Sequence, residues 1–138
     1  MIRNAKKLLY LLPMVMFLGC PPCFNEQAYQ SDVSLKAEAL SLMDKAVSPY
    51  DSCAQEIAVV KADFEKLRAY DNGLAHNSET VGQIDAMMDP QQNSFYGFLS
   101  RWQAEGHLSQ GFVQSAKAEI ARHFDDIISF EQGKKRGC

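Results

Sequence analysis

The stretch Cys53–Leu67, CAQEIAVVKADFEKL, decides the fold. Its residues Cys53, Ile57, Val60, Phe64 and Leu67 recur at alternating steps of four and three, with charged and polar side chains between them. A strand would alternate every second residue, whereas this spacing lays one apolar stripe along an α-helix. The stripe is too short for a sustained coiled coil and must be covered by neighbours, so it predicts one member of a helical bundle.

Upstream, Leu35, Ala39, Leu42, Met43 and Ala46 keep the same steps and predict a helix over 34–47. Ser48-Pro49 has the chemistry of a helix start, Ser at the cap and Pro in the first turn. The apolar phase nevertheless runs on through Ala46, Tyr50 and Cys53. That continuity favours one long helix, 34–47 joined to 49–71 and kinked at Pro49, over two helices nearly in line. Asn72-Gly73 ends it, with Gly73 supplying a left-handed residue.

Downstream, Val81, Ile84, Met87 and Met88 predict a short helix at about 79–88, closed by Asp89-Pro90. A second, at about 94–105, carries Phe95, Phe98, Leu99 and Trp102 on one face, and Gly97 within it admits a close neighbouring helix. Ser109 opens the last helix, about 110–132, whose face is Val113, Ala116, Ile120, Phe124, Ile127 and Ile128. Gly133 caps it, and Lys134-Lys135-Arg136 follow at the negative end of its dipole. The similar lengths of 49–71 and 110–132, about 35 Å each, predict that these two lie side by side. With no alternating β pattern and no repeat, the expected fold is an all-α small helical bundle over 32–133, followed by a basic tail, 134–138.

The amino terminus has a different character. Arg3, Lys6 and Lys7 precede an apolar run, Leu8–Leu18, and then Gly19-Cys20. The run is shorter than the roughly 20 residues that a membrane-crossing helix needs. A basic flank, a short apolar core and a small residue before the processing point are the features of a secretory signal over 1–19. Phe17-Leu18-Gly19-Cys20 resembles the lipobox of bacterial lipoprotein precursors, with Phe17 where that class usually carries Leu. The resemblance implies cleavage after Gly19 and acylation, palmitate included, at Cys20. Pro21 is not the Asp that retains enteric-type lipoproteins at the inner membrane, which implies the periplasmic face of the outer membrane. Residues 20–31, with two prolines and no apolar period, read as a flexible tether.

Three of the fourteen Lys and Arg and none of the seventeen Asp and Glu lie before Cys20, so the remaining 119 residues carry a formal charge of −6. An acidic domain does not suit nucleic acid, whose phosphates call for a basic surface. The four cysteines are Cys20, Cys23, Cys53 and Cys138. Cys53 sits in the apolar seam as a small hydrophobe, while Cys23 and Cys138 can pair if the chain ends meet.

Catalytic motifs are absent from the sequence: no Gly-x-Ser-x-Gly, phosphate-binding or dinucleotide loop, no Cys-x-x-Cys-His. No enzymatic activity and no cofactor are expected. Glu119 and His123, one turn apart, with Asp126 nearby, form the one candidate metal or small-ligand set, against the plainer reading of a surface ion pair. Tyr96 and Arg101 lie off the aromatic stripe and are the candidate contacts for an envelope-protein or cell-wall partner. The expectation is a non-catalytic, membrane-anchored envelope lipoprotein, with a periplasmic ligand binder as the alternative.

Overall fold

The computed structural model describes residues 20–138, so the expected signal segment, 1–19, lies outside the described residues. Five helices follow one another: α1 (Glu26–Asp44), α2 (Ala54–Asn72), α3 (Ser78–Met87), α4 (Phe95–Glu105) and α5 (Gln110–Gly133). The all-α expectation holds, and among the described residues there is no strand, only an isolated bridge between Cys23 and Lys135.

The chain runs up and down a four-membered bundle in which α3 and α4 together make the third member. α1 packs against α2 on one side and most extensively against α5 on the other; α3 lies against α2 and α5. The long helices α2 and α5 therefore sit across the core, not side by side as their lengths predict. They meet through Phe64 and Phe124, with ring centroids 5.9 Å apart, and Phe64 also stacks on Phe95 of α4 at 5.1 Å. Equal length was a poor guide because α1 matches α5 as well, once its true start is known.

That start is Glu26. Asn25 caps α1 by accepting the Ala28 amide at 3.0 Å, and the Tyr70 hydroxyl at the end of α2 donates to the same Asn25 oxygen at 3.1 Å. The expected tether over 20–31 is thus helical from residue 26. Asp32 breaks the apolar run and hides the register, yet it stands in phase with Ala28, Leu35 and Ala39 and is fully buried.

Pro49 does not kink one long helix; it sits in a reversal. Ser48 and Pro49 are both extended (ψ 165° and 134°) between two 3₁₀ turns, Lys45–Val47 and Tyr50–Cys53. A continuous apolar phase follows because α1 and α2 bury the same core, whatever the chain does between them. The α4–α5 connection clamps the corner: Leu108 N–H donates to Ala46 O at 2.7 Å, Tyr50 N–H to Gly106 O at 2.8 Å, and Trp102 Nε1 to Ser48 O at 2.9 Å.

The left-handed residue after α2 is His76 (φ 59°), while Gly73 stays right-handed (φ −80°). Gly106 does take the positive φ, 80°, that stops α4. Gly97 is demanded by the preceding loop, not by a neighbouring helix: a Cβ there would lie 2.0 Å from the carbonyl oxygen of Gln92. The stripe Phe95, Phe98, Leu99 and Trp102 is buried as its spacing predicts, and so is Cys53.

Candidate functional site

Three acids in phase with the apolar seams of α1, α2 and α5 gather at one pole of the bundle. Asp32 belongs to the seam of α1; Asp71 follows Phe64 and Leu67 on α2; Glu131 follows Phe124 and Ile127 on α5. All three are 0% exposed. The turn before α3 adds Asn77, its first turn adds Thr80, and the residue after α5 adds Lys134, also buried. Sequence reasoning assigned none of the six to a site, and it read Lys134 as the start of a basic tail.

The bonding is dense on one side and bare on the other. The Lys134 ammonium donates to Glu131, to Asn77 Oδ1 and, at 2.8 Å, to Thr80 Oγ1. Thr80 Oγ1 in turn donates to Glu131 Oε1 at 2.9 Å, and Asn77 Nδ2 to Asp71 Oδ1 at 2.9 Å. Both oxygens of Asp32, Asp71 Oδ2 and Glu131 Oε2 have no partner within the protein.

One ammonium cannot offset three buried carboxylates, and the titration follows from that. Burial pushes the Asp32 carboxyl up to about 8; Asp71 and Glu131 add to the rise and Lys134 opposes it. Asp71 goes up to about 6, through burial and then Glu131, against its Asn77 hydrogen bond and Lys134. Asp32 is therefore protonated at neutral pH and has an O–H to donate. A carboxyl raised on folding contributes stability in full below its unfolded value, near 4. That contribution fades as pH climbs through about 6 for Asp71 and about 8 for Asp32.

The same pole holds both ends of the described residues. Cys23 and Cys138 form a disulfide, Cα atoms 6.0 Å apart, so the pairing open to these two residues is realised. Phe24 N–H donates to Lys135 O at 2.8 Å, and the Arg136 guanidinium lies 4.2 Å from the centre of the Phe24 ring. The carboxyl-terminal residues form a strap instead of the free basic tail read from the sequence. Cys20 precedes this knot as a free, exposed thiol.

The sequence-selected residues divide. Glu119, His123 and Asp126 come together along one open cleft of about 380 Å³ between α5, α3 and the loop before α4, with Met87 and Ile127 also in its wall. Among the described residues, however, no group of three or more His, Cys, Asp or Glu side chains is placed to hold a metal ion. Tyr96 does not project from the stripe as its position predicts. It is half-buried edge-on against Phe64 (5.6 Å), its hydroxyl reaches Lys61 O at 3.4 Å, and burial with Glu65 nearby pushes it up to about 12. Arg101 is exposed, flat over the Phe112 ring at 3.9 Å and paired with Glu105 at 2.7 Å.

Among the described residues, no helix is long and apolar enough to cross a membrane. No protein-family model, no curated protein and no solved structure matches the chain.

Proposed function

We propose that the chain is an exported, lipid-anchored envelope protein, acylated at Cys20, whose helical body is a non-catalytic interaction module. The observation that carries this reading is the Cys23–Cys138 disulfide beside a free, exposed Cys20. Disulfides that tie chain ends belong to oxidising compartments. Together with the lipobox-like Phe17-Leu18-Gly19-Cys20, this makes an outer-membrane, periplasm-facing address the preferred one. Only two residues separate Cys20 from the bridged Cys23, about 10 Å of chain, so an acyl anchor would hold the polar pole close to the lipid. One chain alone binds reversibly; two or three hold the protein in place.

Growth with labelled palmitate tests the anchor. Wild type takes up label and Cys20→Ala does not; an unlabelled wild type would end this reading. For the partner surface, exposed Arg101 over the half-buried Phe112 ring is preferred to Tyr96, which is engaged in packing. Arg101→Ala is expected to reduce recovery of a crosslinked envelope partner without changing the thermal midpoint.

The cleft of Glu119, His123 and Asp126 supports a second reading, a small cationic ligand or transition metal. A thermal shift with zinc or nickel that His123→Ala abolishes would establish it, and no shift would remove it.

A further inference from the structure

We propose that residues 134–138 are a redox-released latch: a dithiol reductant that opens Cys23–Cys138 frees the strap and draws Lys134 out of the Asp32–Asp71–Glu131 nest. This pole of the bundle then opens while the rest stays helical. The proposal is independent of acylation at Cys20.

Four restraints hold the strap, and they are unequal; one is the Arg136 guanidinium over the Phe24 ring at 4.2 Å. Two backbone hydrogen bonds, Phe24 N–H to Lys135 O at 2.8 Å and Lys135 N–H to Pro22 O at 3.4 Å, tie it to the first described residues. Lys134 plugs the nest. The disulfide is the only covalent restraint, and Cys23 and Cys138 are both exposed and open to an attacking thiolate. The segment Lys134-Lys135-Arg136-Gly137-Cys138 offers no aliphatic or aromatic side chain to keep it in the core. Once the bridge is cut, Lys134 still stands next to the nest, one residue past α5, but the strap beyond it is no longer tied down. The buried position of Lys134 then rests on hydrogen bonds that must offset desolvation and four frozen side-chain torsions.

The exchange is chemically closed. A thiolate of the reductant attacks one sulfur of the bridge, the other leaves as a cysteine thiolate and takes a proton, and a mixed disulfide remains. The second thiol of the reductant displaces it. Two protein thiols and one oxidised dithiol result, with two electrons transferred.

The groups facing the nest are Asp32 from α1, Asp71 from α2, Glu131 from α5 and Lys134 from the strap, with the neutral Asn77 and Thr80 from the α3 side. When Lys134 leaves and water enters, Asp32 ionises at neutral pH, whereas Asp71, at about 6, is already mostly ionised there. Opening thus releases protons, and rising pH favours it.

Amide hydrogen exchange on the full chain in detergent tests the latch, comparing the bridged protein with protein reduced by dithiothreitol and alkylated. Amides over 71–81 and 130–135 are expected to exchange at least about ten-fold faster after reduction, while 57–67 and 113–124 keep their protection. Cys138→Ser reproduces the pattern without reductant. In that variant the opening constant, corrected for intrinsic exchange, rises between pH 5.5 and 7.5 by up to about ten-fold per pH unit for each proton released. Lys134→Gln opens the same amides in the bridged protein. Unchanged protection at 71–81 in reduced protein and in Cys138→Ser overturns the latch. So does uniform loss across every helix, which makes the bridge a staple for the whole fold. A pH-independent opening, or full protection in Lys134→Gln, removes the carboxylates and Lys134 from the mechanism.

Discussion

The two poles of this bundle are closed by opposite means. At the pole where α4 meets the Ser48-Pro49 reversal, Trp102 is fully buried, Tyr50 stands edge-on to it at 5.3 Å, and three hydrogen bonds to backbone carbonyls join the two connections. At the other pole, a disulfide and a buried ammonium hold together three carboxylates that repel one another. Apolar closure costs little to maintain, since burial itself is favourable. Polar closure carries desolvation as a standing cost, and needs a covalent tie to offset it. A ring of this length contributes about 4 to 5 kcal/mol in the chain-entropy account.

Substitutions sharpen the contrast. Trp102→Ala has the largest expected effect: about 4 kcal/mol lost in urea denaturation, the same at pH 5 and pH 8, because no titrating group is involved. Asp32→Asn should do the reverse at the polar pole. It stabilises by about 3 kcal/mol at pH 8 and by little near pH 3, where the wild-type carboxyl is largely protonated in both folded and unfolded chains. A loss of stability at both pH values would show that Asp32 is a useful hydrogen-bonding partner and not a burden. Between the poles, Gly97→Ala forces a Cβ against the Gln92 carbonyl and should cost about 2 kcal/mol at either pH. The smallest effect belongs to Arg68→Ala, which breaks an exposed pair with Asp85 and should change stability by under about 0.5 kcal/mol. A larger, salt-sensitive change there would spread the electrostatics of the polar pole onto the surface.

The apolar pole was readable in the sequence and the polar pole was not. Phe95, Phe98, Leu99 and Trp102 announce their burial by spacing, since a stripe of large apolar side chains has no other place to go. Asp32, Asp71 and Glu131 share the spacing of the seams in which they stand, and that was the available signal: an acid in phase with a buried face. Composition overrode it, because a carboxylate is ordinarily solvated. Its burial depends on Asn77, Thr80 and Lys134 arriving from other elements, which no local pattern records. Of the candidate site residues, the cleft shared by Glu119, His123 and Asp126 follows from one helical face, whereas the packing of Tyr96 against Phe64 needed α2 to be in place.

By itself the sequence determined that the chain folds as helices, where most of them begin and end, which side chains line the core, and that its first residues resemble an export and acylation signal. Those are local matters of period, cap chemistry and composition. Only the tertiary structure decided that Pro49 reverses the chain, that α1 stands between α2 and α5, and that residues 22–24 meet the carboxyl-terminal strap beside a nest of buried charge. Each depends on contacts between residues far apart in sequence, and their free energies appear only when the elements have packed.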